Sequence, residues 1–441
     1  MSNRSVIDKK EVVKNLLKAI HSGADPSELK AKFMEVLRDI SPFEIVIIEQ
    51  ELVKEGVPVT DIIKLCDLHV ELFREFLASR ELRGLPRGHP LDLLARENER
   101  ILKQAEALGV YAQALMGAGD ELIARQLLES IRVIMGELKK IRLHYRKTQM
   151  LIFPYLERRG IIAVPRVLWA REDQVIVKIR ELQNKLEKLK ESFSKEALTN
   201  LATELTQLAR DISDLVFREN KILFPATSAL FSEGEWAAIA GIGDEMGYIV
   251  EPGETEWKPA AKPIYPYELE PSVTPEQLEK LPAEFKSVIE RSGLQPDTYK
   301  VMREGDIVLE TGFLTPEEIE GIFKSLPLEV TYADINDRVR FFSESELAGG
   351  FVRTKTILGR RLAFCHPPRL ENYVMLNVEA VKKGQVSHRV FWTKMGDRII
   401  RVIIAPVKGR DGRLTGVLEI VEDLTEIVNN PEEVKKKIMV L

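Results

Sequence analysis

A thiol and an imidazole stand side by side in the stretch GRRLAFCHPP, residues 359–368. Cys365 and His366 are ligand types for metal ions and haem iron, and the nearby Arg360 and Arg369 suit an anionic group such as a haem propionate. The same stretch also allows a structural interpretation, in which the thiol is buried, the histidine satisfies a backbone group and the prolines end a helix. Both interpretations remain open at this point.

A second cysteine and histidine pair lies far upstream. Cys66 and His69 are three residues apart, so a helix would place them on one face. Two ligands do not complete a tetrahedral zinc site, which would require Cys365 and His366 to meet them. Because cysteine in an apolar helix usually packs in a core, we expect Cys66 to be structural.

The charge and cysteine content of the 441-residue chain limit its partners. The net charge of -5 at pH 7 gives no attraction for nucleic acid or an anionic membrane, so we expect neither as a partner. Two distant cysteines cannot build a disulfide framework, which suits a reducing cytosol. No uncharged run approaches the roughly 20 residues that span a bilayer, and the first residues lack the apolar core of a signal peptide. We therefore expect a cytoplasmic protein.

The elements that must position these residues change along the chain. Residues 1–83 show helical spacing of apolar residues and the helix-start signals DPSE and SPFE, which predict a small helical domain. Four longer amphipathic stretches occupy residues 84–250 and favour an antiparallel four-helix bundle. The segments MLIFPYLERRG and KILFPATSALF close the second and fourth stretches, and a proline so late in a helix is expected to kink it.

In the C-terminal part of the sequence, the spacing of apolar residues no longer indicates long helices. Residues 251–304 are rich in proline and acidic residues and predict an extended linker with one short helix, within 282–293. Residues 305–430 contain β-rich runs, two around an Asn336–Asp337 turn and three separated by the turns of KMGDR and GRDGR, with short helices between the two groups. This pattern predicts an α+β domain with a five-stranded antiparallel sheet. Residues 431–441 are expected to form a C-terminal tail or helix.

These segments resemble three known domain families, which follow one another in the same order in a known bacterial and archaeal family. GRDGRLTGVLEIVEDLTE and VTYADINDRVRFFS, followed by ILGRR, resemble the closing and opening halves of a PAS domain. LHYRKTQMLIFPYLE and FRENKILFP resemble the hemerythrin-like (HHE cation-binding) bundle. The segment FMEVLRDISPFEIVIIEQELVKEG resembles the uncharacterised helical domain found upstream of these two in a bacterial and archaeal family. The resemblance implies a multidomain protein, with an all-α N-terminal domain and a hemerythrin-like four-helix bundle followed by an α+β PAS domain.

The resemblance to hemerythrin implies a set of metal ligands in the bundle. The family pattern places a glutamate four residues after a histidine, but Thr148 follows His144 at that spacing and Leu215 precedes Glu219. So few imidazoles disfavour an oxygen-binding di-iron centre. Iron, another divalent metal ion and a metal-free polar cluster remain alternatives. The candidate metal ligands are His89, His144, Glu172 and Glu219, with Glu97 and Asp173 nearby in sequence.

The resemblance to PAS domains implies a pocket between the sheet and the short helices. Such a pocket holds a small ligand or cofactor, or the domain forms dimers. Haem is a candidate cofactor there, because His366 or Cys365 could ligate its iron. The candidate pocket residues are Arg360, Cys365, His366 and Arg369, opposite the strand residues Phe391, Trp392 and Ile403.

The motifs that are missing also limit the function. The sequence contains no Walker loop, kinase signature, nucleophile elbow or dinucleotide fingerprint, so we expect no enzyme activity. The sequence favours a cytoplasmic sensor or signal-transducing protein, with a PAS module that senses a ligand or a redox condition and a degenerate hemerythrin-like bundle. It would act through an unidentified protein partner or a homodimer. The alternative is a metal- or haem-binding redox or oxygen-responsive protein in which the bound centre is itself the function.

Overall fold

The computed structural model divides the chain into two compact units, with the boundary between Tyr299 and Lys300. The helical domain predicted for residues 1–83, the short helix predicted within 282–293 and the Cys66–His69 pair lie outside the described residues. The structure describes residues 84–189, 194–270, 295–345 and 351–439, together with Asn15, Ala19, Glu55 and Leu347.

The first unit is a helical bundle. Its long helices α1, α2, α5 and α6 form a ring in which each packs against its two neighbours around one apolar core. The four-helix bundle expected from the sequence is therefore confirmed. The described helices of this unit are α1 (Pro90–Met116), α2 (Glu121–Leu138), α3 (Ile141–Lys147), α4 (Phe153–Arg158), α5 (Ala163–Lys188), α6 (Lys195–Arg218), α7 (Phe224–Leu230) and α8 (Glu233–Met246).

Helix α6 shows why the sequence forms these elements. Ser194 caps its first turn by accepting a hydrogen bond from the Ala197 amide at 3.1 Å, which satisfies a donor that the helix itself leaves unpaired. Its buried leucines and isoleucines are three or four residues apart, so they form one apolar face directed at the core. They are Leu198, Leu201, Leu205, Leu208, Ile212 and Leu215.

Two π-helical turns interrupt the bundle at corresponding places. The turn Thr148–Ile152 precedes α4, and the turn Glu219–Leu223 precedes α7. Each turn leads into a Phe-Pro pair. Proline has no amide hydrogen for the regular helical bond, and its ring clashes with the carbonyl four residues earlier, so the preceding turn widens. The kinks expected from the sequence thus take the form of widened turns.

The segment 251–270, the first described part of the predicted linker, contains neither helix nor strand and is held against the bundle. The Ile264 amide donates to the Gly234 carbonyl at 2.9 Å, and the Tyr155 hydroxyl donates to the Ile264 carbonyl at 2.7 Å. This segment is therefore fixed by hydrogen bonds along part of its length.

None of the helices in the described ranges is long and apolar enough to cross a bilayer.

The second unit is built on an antiparallel sheet of strands β3 to β7, in the order β4-β3-β7-β6-β5, and a separate hairpin, β1 and β2. The expected α+β fold with a five-stranded sheet is confirmed. Asp337, Gly396 and Gly412 adopt positive φ in the three tight turns, as hairpins require. The elements are β1 (Ile307–Val308), β2 (Phe313–Leu314), α9 (Pro316–Ser325), β3 (Glu329–Asp334), β4 (Val339–Phe342), α10 (Pro368–Lys382), β5 (Arg389–Met395), β6 (Arg398–Lys408), β7 (Leu414–Asp423), α11 (Thr425–Asn429) and α12 (Pro431–Lys436).

One face of this sheet packs on helix α10. Ala333, Val417 and Ile404 come from three neighbouring strands and contact Val378 and Val381 of the helix. Because side chains alternate along a strand, every second residue of β3 and β7 lies on this inner face. Short 3₁₀ turns at Lys355–Ile357 and Leu362–Cys365 lie between β4 and α10.

Candidate functional sites

Five ionisable side chains lie together in the centre of the bundle and form what we call the core charge cluster. Each is at most 1% exposed to solvent, and the set draws on α1, α3, α5 and the second π-helical turn. Burial of so many ionisable groups is costly unless they are paired. The cluster consists of Glu97, His144, Lys147, Glu172 and Glu219.

His144 stands between two carboxylates. Its Nδ1 lies 2.7 Å from Glu97 Oε2, and its Nε2 lies 2.9 Å from Glu219 Oε2. Burial alone would lower the pKa of His144, but the carboxylates of Glu219 and Glu97 raise it to about 10. The ring is therefore an imidazolium at neutral pH.

Lys147 supplies a second positive charge. Its ammonium donates to Glu97 Oε1 and to the Gly247 carbonyl, the latter at 3.0 Å, and lies 4.4 Å from the centre of the Tyr248 ring. The Ile249 amide also donates to Glu97 Oε1, at 2.9 Å. Burial raises the pKa of Glu97, but the pairing with His144 and Lys147 outweighs it, and the net shift is downward.

Glu172 has neutral partners. The Thr148 hydroxyl donates to its Oε1 at 3.1 Å, and the Gln149 amide donates to its Oε2 at 2.6 Å. Burial, followed by repulsion from Glu219, raises the pKa of Glu172 to about 8. Thr148 stands where the hemerythrin pattern has a glutamate, and its hydroxyl binds this carboxyl group.

A hemerythrin-type metal centre needs imidazole nitrogens and carboxylate oxygens that converge on one point. Here carboxylate oxygens already occupy both nitrogens of His144. Within the described ranges, no group of three or more His, Cys, Asp or Glu side chains is arranged to hold a metal ion. Glu219 Oε1 is the one carboxylate oxygen of the core charge cluster that lacks a hydrogen-bond partner among the described residues. As arranged, this donor set does not fit a di-iron centre.

The structure places His89 at the start of α1. Its Nδ1 accepts a hydrogen bond from the Leu91 amide at 3.1 Å, so the side chain caps the helix. The ring packs against Trp236 and Trp257, with centroid distances of 4.9 Å to each. Burial lowers the pKa of His89 to about 4, which keeps the ring neutral. The other three predicted ligands, His144, Glu172 and Glu219, all belong to the core charge cluster.

A second group of charged residues lies on the inner face of the sheet and forms what we call the sheet-face network. Arg353 donates to Glu329 Oε2 and Glu419 Oε1, both at 2.7 Å, and to the Thr331 hydroxyl at 2.6 Å. Thr331 and Glu419 are directly paired across β3 and β7. The Arg353 side chain is only 8% exposed. One guanidinium therefore joins the side chains of two neighbouring strands.

The predicted Cys365–His366 pair lies beside this network. His366 Nδ1 donates to the Leu362 carbonyl at 3.0 Å, since a carbonyl can only accept. Its Nε2 lies 4.0 Å from Glu419 Oε2. The Cys365 thiol is 3.6 Å from the Arg361 carbonyl, and burial raises its pKa even though the charge of Arg360 opposes the shift.

The remaining candidate residues of the PAS pocket do not all lie together. Arg360 and Arg369 are exposed, and Arg369 is the second residue of α10. Phe391 packs edge-on against Tyr373 of α10, so it faces the helices. The neighbouring Trp392 lies 5.9 Å from the guanidinium of Arg401 on the opposite face. Ile403, which pairs with Val390, is also on that face. The expectation that Phe391, Trp392 and Ile403 share one pocket is wrong, because side chains alternate along β5.

Sequence reasoning missed Lys147 and the sheet-face network. A signal for Lys147 exists, because it follows His144 by three residues and so lies on the same helical face. For Glu329 and Glu419 the alternation of β3 and β7 offers a weaker signal. Arg353 lies in an irregular segment, and no local pattern marks it.

Three family models match successive parts of the sequence. The DUF438 family of unknown function matches residues 13–79, the hemerythrin HHE cation binding domain matches residues 89–227, and the PAS domain matches residues 319–425. No curated protein matches the sequence at a significant level.

Three solved structures are similar to parts of the chain. The C-terminal domain of a protein from Streptococcus mutans is 28% identical, covering 28% of this chain and 96% of that one, with a TM-score of 0.27. The PAS domain of a protein from Colwellia psychrerythraea is 15% identical, covering 25% and 97%, with a TM-score of 0.21. A sensory box sensor histidine kinase from Vibrio cholerae is 11% identical, covering 24% and 90%, with a TM-score of 0.19. From the family matches, the chain combines a DUF438 domain, a hemerythrin HHE cation-binding domain and a PAS domain, in that order.

Proposed function

We propose that this protein is a cytoplasmic sensor whose PAS domain binds its ligand at His366 Nε2. The combination of PAS and hemerythrin domains supports a role in sensing or signalling. The observation that carries the proposal is the orientation of the His366 ring. Its Nδ1–H is held by the Leu362 carbonyl, so the neutral ring carries its lone pair on Nε2, near the sheet-face network.

This arrangement favours the imidazole over the thiol as the ligand-binding group. A histidine whose Nδ1–H is bound to a backbone carbonyl is fixed in tautomer and orientation, and its Nε2 becomes a better electron donor. The ligand is therefore an electron acceptor, and haem iron is the candidate we test. Cys365 is less suited to redox sensing, because its raised pKa leaves little of the reactive thiolate at neutral pH.

The sheet-face network offers a route from the ligand to the sheet. Glu419 lies beside His366 and is bound to Arg353, which in turn holds Glu329 of β3. A ligand on Nε2 that moves Glu419 would change the ion pairs of two strands together. It would shift the population of sheet arrangements only as far as it binds them with different affinities.

A haem titration of the full chain tests this proposal. Hemin is added to wild type, His366→Ala and His388→Ala, and the Soret band is followed. His388 is an exposed histidine of the same unit and serves as the matched control. We expect a saturable band at one equivalent in wild type and His388→Ala but not in His366→Ala. A band of equal size in all three proteins, or in none, refutes haem ligation by His366.

The output of the sensor is proposed to be contact with another protein chain, either a partner bound by residues 1–83 or a second copy. The sequence contains no catalytic motif that could carry the signal instead. Light scattering of the full chain, with and without hemin, measures whether the mass doubles. A pull-down with residues 1–83 as bait tests the other route. Stoichiometric haem or metal in the protein as purified, with neither a change of mass nor a captured partner, would favour the alternative, a redox protein whose bound centre is the function.

A further inference from the structure

The positive charge in the centre of the bundle comes from the chain itself. We propose that Lys147 and His144 neutralise the carboxylates of Glu97 and Glu219 in place of a metal ion, so that this hemerythrin-like bundle folds and persists without metal. The proposal concerns the bundle alone and does not depend on ligand binding by the PAS domain.

The first support is the enclosure of the Lys147 ammonium. The residue is 1% exposed, and lysine is almost never fully buried unless it is paired. Glu97, the Gly247 carbonyl and the ring of Tyr248 all lie close to the nitrogen. Two of these groups accept its hydrogens, and the third attracts its charge. Lys147 is therefore an integral member of the core charge cluster.

The second support is the hydrogen bonding of His144. Both ring nitrogens face carboxylate oxygens, at 2.7 and 2.9 Å, and an ionised carboxylate can only accept. Both nitrogens must then donate, so the ring carries a positive charge and has no lone pair for a metal ion. The only imidazole of the cluster is thus used as a cation.

The third support is the balance of charge. Two carboxylates, Glu97 and Glu219, are matched by two cations, His144 and Lys147, while Glu172 is held by the neutral donors Thr148 and Gln149. A divalent ion bound to His144 would first have to displace a ring proton that the carboxylates hold. It would also separate buried ion pairs, which is strongly unfavourable.

Metal content and metal response of the wild-type chain provide the first test. The full chain is expressed in medium with added iron, manganese and zinc and is desalted without chelator. Its metal content is then measured by inductively coupled plasma mass spectrometry. We expect less than about 0.1 equivalent of any metal, and a melting temperature that changes by less than about 1 °C with EDTA or with added Fe²⁺. Retention of about half an equivalent or more that is lost in His144→Ala but kept in His388→Ala would overturn the proposal.

Substitution of Lys147 provides the second test. Lys147→Met keeps the length of the side chain but leaves Glu97 without its ammonium, so we expect the melting temperature to fall by about 10 °C. The double variant with Glu97→Gln should recover part of this loss, because it removes the stranded charge. Lys140→Met, at a pair that is 51% and 35% exposed, is the control and should change the melting temperature by about 1 °C or less.

The outcomes of this second test are decisive in both directions. A fall in Lys147→Met with recovery in the double variant supports the proposal. Equal melting temperatures for Lys147→Met and Lys140→Met refute it, since Lys147 would then contribute no more than a surface charge. If Lys147→Met does not fold, the metal content and EDTA response of the wild-type chain decide the question alone.

Discussion

The Arg353→Met substitution should destabilise the C-terminal unit far more than an ordinary loss of surface charge. Arg353 is 8% exposed, and its loss leaves the carboxylates of Glu329 and Glu419 without their shared cation. Removing one partner of a buried ion pair costs about 3–5 kcal/mol. Because the two carboxylates remain 11% and 19% exposed and partly screened, we expect roughly 2–4 kcal/mol here.

The matched control for this prediction is Arg401→Met. Arg401 donates to Glu422 at 2.6 Å on the outer face of the same sheet, and its side chain is 35% exposed. Loss of this partly exposed pair should cost far less than loss of Arg353, because solvent screens it. Hydrogen exchange of the β3 and β7 peptides in a urea series reports the unfolding free energy of this unit in the full chain. Similar losses in Arg353→Met and Arg401→Met would refute the reasoning.

Three further predictions concern other buried groups. The free energy of unfolding should fall by at most about 3 kcal/mol as the pH drops from 6.5 to 4, because the pKa of His89 is about 4 in the folded protein and 6.5 when exposed. Urea titrations across this range should show this decrease. His89→Asn should remove the decrease while keeping a side chain that can cap the helix. Arg159→Met should lower the free energy of unfolding by about 3–5 kcal/mol, because it breaks two hydrogen bonds, at 2.8 and 2.9 Å, to the fully buried Glu235. Arg125→Met, at an exposed ion pair, should lower it by less than about 1 kcal/mol in the same urea titration. Equal losses in the two variants would contradict this prediction. Iodoacetamide should modify Cys365 at pH 7.5 more slowly than it modifies free cysteine, measured by peptide mass spectrometry, because burial raises the pKa of the thiol; an equal or faster rate would contradict the pKa direction.

Much of the fold follows from local patterns in the sequence. The 3.6-residue repeat of apolar side chains predicts the long helices, and the glycine turns at Gly396 and Gly412 mark the boundaries between β5, β6 and β7. The repeated Phe-Pro pairs predict a disturbance late in two helices. These signals suffice because each depends on residues a few positions apart. The domain boundaries and the site residues remain predictions.

The interior of the bundle shows what local patterns leave open. His144 and Glu219 could be chosen by their resemblance to hemerythrin, but His144 also pairs with Glu97, and Glu97 pairs with Lys147, which is 50 residues away in sequence. Whether a lysine turns inward depends on which helices meet there and which acceptors they bring. Only the packing of α1 against α3 decides that Lys147 pairs with Glu97.

The sequence by itself determined the order of the domains, the long helices of the bundle, the strands of the five-stranded sheet and the location of the Cys365–His366 pair between the two groups of strands. The tertiary structure alone decided which charges meet. Arg353 joins Glu329 and Glu419 across 24 and 66 residues of chain, and Trp392 turns away from the face that Phe391 occupies. The physical reason is that burial and pairing of a charged group depend on the side chains brought from other elements, whereas the formation of a helix or a hairpin depends largely on its own residues.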